Sequence, residues 1–234
     1  MTPRRRFLQT IPCLAVAGIL SVACRGAEPA AEQRRLNYVA LGASDSVGIG
    51  AGTPDQESWP AVLHRRLPSG SRLVNLGVSG SLIQQALDQQ LPVAIDSQPD
   101  LVTVWLAVND YGARVPLPRY ASDLDLLLKT LREQTGATVL VGNVPDLGQL
   151  PVAARFDLRD IPRWNKAIEE LTQRHGATLV DLRAAWNEVA QHPEYISSDG
   201  FHPSTTGYQR LAGLFYDAAA EPLQLSASSA RPAS

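Results

Sequence analysis

Four short segments, far apart in the chain, carry the side chains from which serine-based acyl transfer could be assembled. They are Gly42-Ala43-Ser44-Asp45-Ser46, Asn75-Leu76-Gly77, Val108-Asn109-Asp110 and Asp199-Gly200-Phe201-His202. The first ends an apolar run with a hydroxyl. The second and third offer hydrogen-bond donors, a glycine N–H and an asparagine amide. The last sets a carboxylate three residues before an imidazole, so that one loop can carry a base and the group that orients it. Attack on an ester carbonyl needs this set: a nucleophile, a base, an orienting acid and donors for the developing oxyanion. Taken singly, each segment has a plainer reading. Ser44 could cap a helix, Gly77 could make a strand-end turn, and His202 could be a surface histidine. Ser46 is a rival hydroxyl whose spacing from Gly42 suits loop support, and Asp110 is expected to brace its loop. Asp181 is the alternative partner for the base.

These residues need a scaffold that brings them to one edge. Five short apolar runs, Asn37–Leu41, Arg72–Leu76, Leu101–Val108, Thr138–Val141 and Thr178–Val180, read as strands buried on both faces. Helical spacing appears between them, at Ser58–Arg66, Ser81–Gln90, Ala121–Gln134 and Pro162–His175, with a last helix from about Ser204 to Ala218. Ser58 is expected to cap the first of these helices and Gly136 to end the third. The alternation predicts an α/β fold with a parallel sheet and helices on both faces, whose ligands sit beyond the carboxyl ends of the strands. Ser44, Gly77 and Asn109 each follow the apolar part of a strand, so the topology gathers them. Gly48-Ile49-Gly50-Ala51-Gly52 lacks the lysine of a phosphate loop and the spacing of a dinucleotide fingerprint, and reads as a loop bordering the pocket with Trp59 beneath it.

With all four blocks in order against the strands, the segment from Asn37 to Tyr216 resembles the SGNH hydrolase superfamily of GDSL-type esterases and lipases, as a bacterial exported member. The resemblance implies a three-layer sandwich with a five-stranded parallel sheet, flavodoxin-like in topology. It implies Ser44 as nucleophile, His202 as base and Asp199 as its partner. The oxyanion hole would comprise the Ser44 and Gly77 N–H groups and the Asn109 amide. No cofactor is implied. Two departures stand out: Ala43 replaces the family's usual aspartate, and Ala107 replaces a glycine. The function implied is a serine esterase or lipase that cleaves carboxylic esters through an acyl-enzyme. Removal of acetyl groups from a polysaccharide is the main alternative. A non-catalytic envelope protein binding a glycan or lipid is a third, against which the complete set of Ser44, His202 and Asp199 argues. The apolar stretch after Asp110 leans toward an acyl chain, and the substrate is a small-molecule, lipid or glycan ester.

The ends of the chain bear on location. Residues 1–23 read as an export signal: Arg4-Arg5-Arg6-Phe7-Leu8 resembles a twin-arginine start, and an apolar stretch shorter than a membrane span leads to Ala23-Cys24. Cys24 is the expected lipidation site, which would tether the protein to a membrane of the bacterial envelope. The alternative is secretion with an incidental cysteine. Residues 24–35 are read as a linker, 36–222 as one hydrolase domain and 223–234 as a disordered tail. Cys13 falls within the signal, so the mature chain keeps one cysteine and no internal disulfide. Removing residues 1–23 takes away three arginines and no acid, moving the formal charge from −2 to −5. An acidic surface gives nucleic acid no purchase. No metal site is expected, since no His-x-x-x-His pair occurs. His64, His175 and His192 are read as surface residues, and the protein as a monomer.

Overall fold

The computed structural model describes residues 34–225. Five parallel strands form its sheet: β1 (Asn37–Gly42), β2 (Arg72–Asn75), β3 (Leu101–Trp105), β4 (Thr138–Gly142) and β5 (Thr178–Val180). Their order is β2-β1-β3-β4-β5, so the chain starts near the middle, steps out to β2 and crosses back to β3. That reversal opens a crevice between the carboxyl ends of β1 and β3. The register pairs Gly42 with Trp105, which sets the segments carrying Ser44 and Asn109 side by side.

Seven helices matter to the site: α1 (Ser44–Val47), α2 (Trp59–Arg66), α3 (Leu91–Asp96), α4 (Ala107–Gly112), α5 (Leu117–Gln134), α6 (Ile161–Arg174) and α7 (Thr205–Ala220). A helical turn at Ile83–Gln85 and a π turn at Ala86–Gln90 lead into α3. One face of the sheet is covered by α2 against α7, where Trp59 stacks on Phe215 at 4.2 Å and meets Trp105 edge-on at 6.3 Å. The other carries α3, α5 and α6, with Leu124, Leu127, Leu128 and Leu131 of α5 buried as their spacing predicts. Every residue of β3 is buried, which is why its sequence is apolar without alternation.

Several boundaries differ from the sequence reading. β3 stops at Trp105, and the apolar Ala107 and Val108 belong to α4, where they are buried on a helical turn. Apolar character alone does not separate the two. α5 begins at Leu117, ahead of the expected Ala121, because Pro118 fits a first helical turn and the Pro116 carbonyl accepts the N–H of Arg119 and of Tyr120. Its end is set by Thr135, which is extended and returns its hydroxyl to the Leu131 carbonyl, so Gly136 is not the stop. Ser58 stands at the cap of α2 but makes no side-chain capping bond, whereas Ser204 caps α7 by accepting from Gly207 N–H at 3.2 Å.

His175 is buried rather than at the surface, with Nε2 at 2.9 Å from Asp125. His64 is half-buried against the Ser71 carbonyl. At the carboxyl end, Leu223 and Leu225 pack against the core, so the fold runs slightly past the expected domain limit. The expected export signal, Cys24, most of the linker and the rest of the tail lie outside the described residues. Among the described residues no helix is long and apolar enough to cross a membrane.

Candidate active site

β1 ends at Gly42, and Ser44 opens the short helix α1 directly beyond it. From the other end of the chain, residues 196–203 fold back as a closed loop. An isolated bridge joins Ile196 to Pro203, and Ser197 N–H reaches the His202 carbonyl at 2.8 Å. This loop brings His202 Nε2 to 3.0 Å from Ser44 Oγ, across 158 positions of sequence. His202 Nδ1 lies 2.6 Å from Asp199 Oδ2. The other carboxylate oxygen accepts from His202 N–H (2.9 Å), Phe201 N–H (2.8 Å) and the Ser197 hydroxyl (2.9 Å).

Burial alone would push Asp199 up. The His202 ring and these three donors outweigh it and hold the carboxyl well below its usual range. An ionised Asp199 can only accept, so the ring proton sits on Nδ1 and Nε2 is left to take a proton from Ser44. Asp181 is engaged elsewhere, accepting from Asn143 Nδ2 at 2.8 Å and Ala184 N–H at 3.1 Å.

The expected donors sort differently. Gly77 N–H is already engaged by Asn75 Oδ1 at 3.1 Å. The need for glycine there is packing. A Cβ on Gly77 would fall 2.7 Å from the Ser46 Cβ, and one on Gly42 would fall 1.9 Å from the Ser46 hydroxyl. Ser46 is thus wedged between two glycines, fully buried, and its hydroxyl has no partner among the described residues. It supports the loop and is closed to substrate.

Gly80, which the sequence reading passed over, offers a second glycine N–H. It stands at φ 77° in a turn closed by Ser81 N–H to the Val78 carbonyl, the position that a type II turn reserves for glycine. No protein acceptor among the described residues takes its N–H. Its neighbours tie it to both sides of the crevice: Val78 N–H bonds the Gly42 carbonyl, and the Ser81 carbonyl accepts Asn109 Nδ2 at 3.1 Å. The second hydrogen of that amide remains available, as does Ser44 N–H at the open start of α1. The signal in the sequence was a second glycine, in Val78-Ser79-Gly80-Ser81, immediately before a helix.

Two buried side chains fix these pieces. Gln90, held by the π turn, accepts from Gly42 N–H and donates to the Gly42 carbonyl, both at 3.0 Å, and reaches Ser81 Oγ at 3.2 Å. Asp110 accepts Ile83 N–H at 3.0 Å, which matches its expected bracing task. Burial pushes its carboxyl up to about 6, against the pull of that N–H. Asp45, next to Ser44, lines a cavity of about 30 Å³ whose other walls include Trp105, Val108, Leu147, Phe201 and Pro203. Burial pushes Asp45 up to about 6 as well, with His202 pulling the other way. Among the described residues no three of His, Cys, Asp or Glu gather as a metal site.

The sequence model of the GDSL-like lipase/acylhydrolase family matches residues 40–210. An acetylxylan esterase of Geobacillus stearothermophilus is 25% identical over 164 residues, 62% of this chain and 71% of that protein. The thioesterase 1/protease 1/lysophospholipase L1 of Escherichia coli strain K12 is 26% identical over 160 residues, 68% of this chain and 73% of that protein. Among solved structures, an acetylxylan esterase from Geobacillus stearothermophilus superposes with a TM-score of 0.67 at 18% identity, over 86% of this chain and 99% of that one. TesA superposes with a TM-score of 0.66 at 22% identity, over 80% and 99%.

Proposed function

The chain belongs to the GDSL-like lipase/acylhydrolase family and is a carboxylic ester hydrolase, and from that premise we propose that it works through an acyl-enzyme formed on Ser44. The observation that carries the reading is the line Ser44 Oγ, His202, Asp199, with contacts of 3.0 and 2.6 Å. Ser44 Oγ attacks the carbonyl carbon as its proton passes to His202 Nε2. Asp199 stabilises the imidazolium and stays ionised. The oxyanion is met by Ser44 N–H, Gly80 N–H and the free hydrogen of Asn109 Nδ2, with Gly80 in the part that sequence had given to Gly77. His202 then protonates the leaving alcohol. Water, deprotonated by the same nitrogen, releases the acid and restores Ser44.

The test is turnover of p-nitrophenyl acetate, butyrate and octanoate by the wild type beside Ser44→Ala. A loss of about 10³-fold or more in the variant is expected. Turnover that survives in Ser44→Ala, with no fluorophosphonate labelling of Ser44 in the wild type, would sink the proposal.

Deacetylation of a glycan is the second reading. It is favoured by the similarity to an acetylxylan esterase. Export to the envelope, with a lipid on Cys24, completes the proposal. Palmitate labelling that persists in Cys24→Ser would remove the lipid anchor.

A further inference from the structure

Beside the site runs a groove of about 450 Å³ bordered by Tyr111, Arg114, Arg155, Phe156, Arg163 and Trp164. It connects to the reacting pair through a chain of rings. Phe156 stacks against Phe201 at 5.9 Å and an angle of 21°, and Phe201 meets His202 edge-on at 4.8 Å. Gly112, three residues past Asn109, lies under the Phe156 ring, where an added Cβ would come within 3.4 Å. The groove therefore begins where α4 ends, and only the Phe201 ring stands between its Phe156 wall and His202.

Its charge runs against that of the whole protein. Arg114, Arg155 and Arg163 are exposed, and none joins an ion pair among the described residues. Of the two acids at the groove, Asp157 is held by a two-point contact from Arg159 at 2.8 and 2.6 Å. Asp157 also feels the charge of Arg114, and Asp160 is the other acid set against the three arginines. Arg114 also sits at φ 58°, a left-handed conformation that a non-glycine residue adopts only at a cost. An alkyl chain laid here would bring methylenes against charged guanidinium groups and strip their water without replacing it. A carboxylated sugar would supply planar acceptors for the arginines and apolar C–H faces for Phe156.

We propose that this groove is a subsite for the alcohol portion of the substrate and takes a uronate-bearing oligosaccharide, with Arg114, Arg155 and Arg163 binding its carboxylate. The proposal rests on the reading of Ser44 and His202 as the reacting pair and names the substrate class of that site. The sugar whose ester is cleaved lies over Ser44, and the acidic sugar lies along the rings toward α5.

The test is calorimetric titration of the full chain with a de-esterified xylo-oligosaccharide carrying one uronic acid. The control is the same oligosaccharide with its carboxyl reduced to an alcohol. Binding of the acidic form at least about tenfold tighter is expected, equivalent to about 1.4 kcal/mol. The difference should vanish in Arg114→Gln/Arg155→Gln/Arg163→Gln and shrink with added salt. The triple variant should keep the melting temperature of the wild type, which reports that it folds. Equal binding of the two oligosaccharides by the wild type would overturn the proposal, as would a preference kept by the triple variant. Binding of anionic lysophospholipid micelles with neglect of the acidic oligosaccharide would overturn it in favour of a lipid. Absence of p-nitrophenyl acetate turnover in the wild type would instead remove the esterase reading, and the titration would still decide the groove.

Discussion

Asp45 occupies the position directly after Ser44, and nothing in its residue type or spacing marked it in the sequence. Its importance is a matter of burial. The carboxyl faces an otherwise largely apolar cavity and is pushed up to about 6. A carboxyl raised in the folded chain is tolerated while protonated, so the stability it permits at low pH is lost as pH rises through about 6. Asp45→Asn should therefore raise the melting temperature at pH 8, by the equivalent of about 1–2 kcal/mol, and leave it unchanged at pH 3.5. A gain of equal size at both pH values would show that packing, not ionisation, is at work. The donors allow a second comparison. Asn109→Ala should lower kcat by about 10²–10³-fold with little change in KM, since it removes a contact made chiefly in the transition state. Gly77→Ala should act on stability, because the added methyl strikes Ser46. Measured side by side, kcat, KM and melting temperature separate the two roles. The meeting of Ser44, Asp199 and His202 could be read from sequence because their spacing is local or tied to strand ends. The choice between Gly77 and Gly80 could not, because it depends on where the Asn75 side chain points.

At the scale of elements, the five strands were legible from their mostly apolar runs and the helices from their spacing, but β2 is an edge strand with Arg72 and Asn75 exposed, not buried on both faces as its run suggested. The misread part was the passage from β3 into α4, where Leu106-Ala107-Val108 is as apolar as the strand it follows. The π turn Ala86–Gln90 also had no signal in the sequence. Its effect is to aim Gln90 at the end of β1, where it accepts the Gly42 N–H and gives the Gly42 carbonyl a second donor beside Val78 N–H. Leucine is of similar volume but cannot replace those bonds. Gln90→Leu is expected to destabilise the fold by about 2–3 kcal/mol in urea unfolding, with esterase activity falling faster than stability on titration. A variant as stable as the wild type would mean that water or another residue fills the role. Trp59→Ala, which empties the space between α2, α7 and β3, should cost about 3–5 kcal/mol by the same measurement.

For the whole molecule, the first buried residue of the described chain is Leu36, and the sheet begins at Asn37. A chain lacking residues 1–33 is therefore expected to fold and to turn over p-nitrophenyl acetate at the full-length rate. A lower rate at equal melting temperature would assign the leading residues a part in the site. The fold also orders events in time. Ser44 lies near the start of the domain, while Asp199 and His202 come from its last loop, 158 positions after the serine in the case of His202. On the proposed mechanism the nucleophile leaves the ribosome long before its base exists, and the nearly finished polypeptide would be chemically inert. Hydrolytic power would then arrive in a single step, when the final stretch of chain emerges and docks, and a prematurely terminated product would carry the crevice without the means to use it.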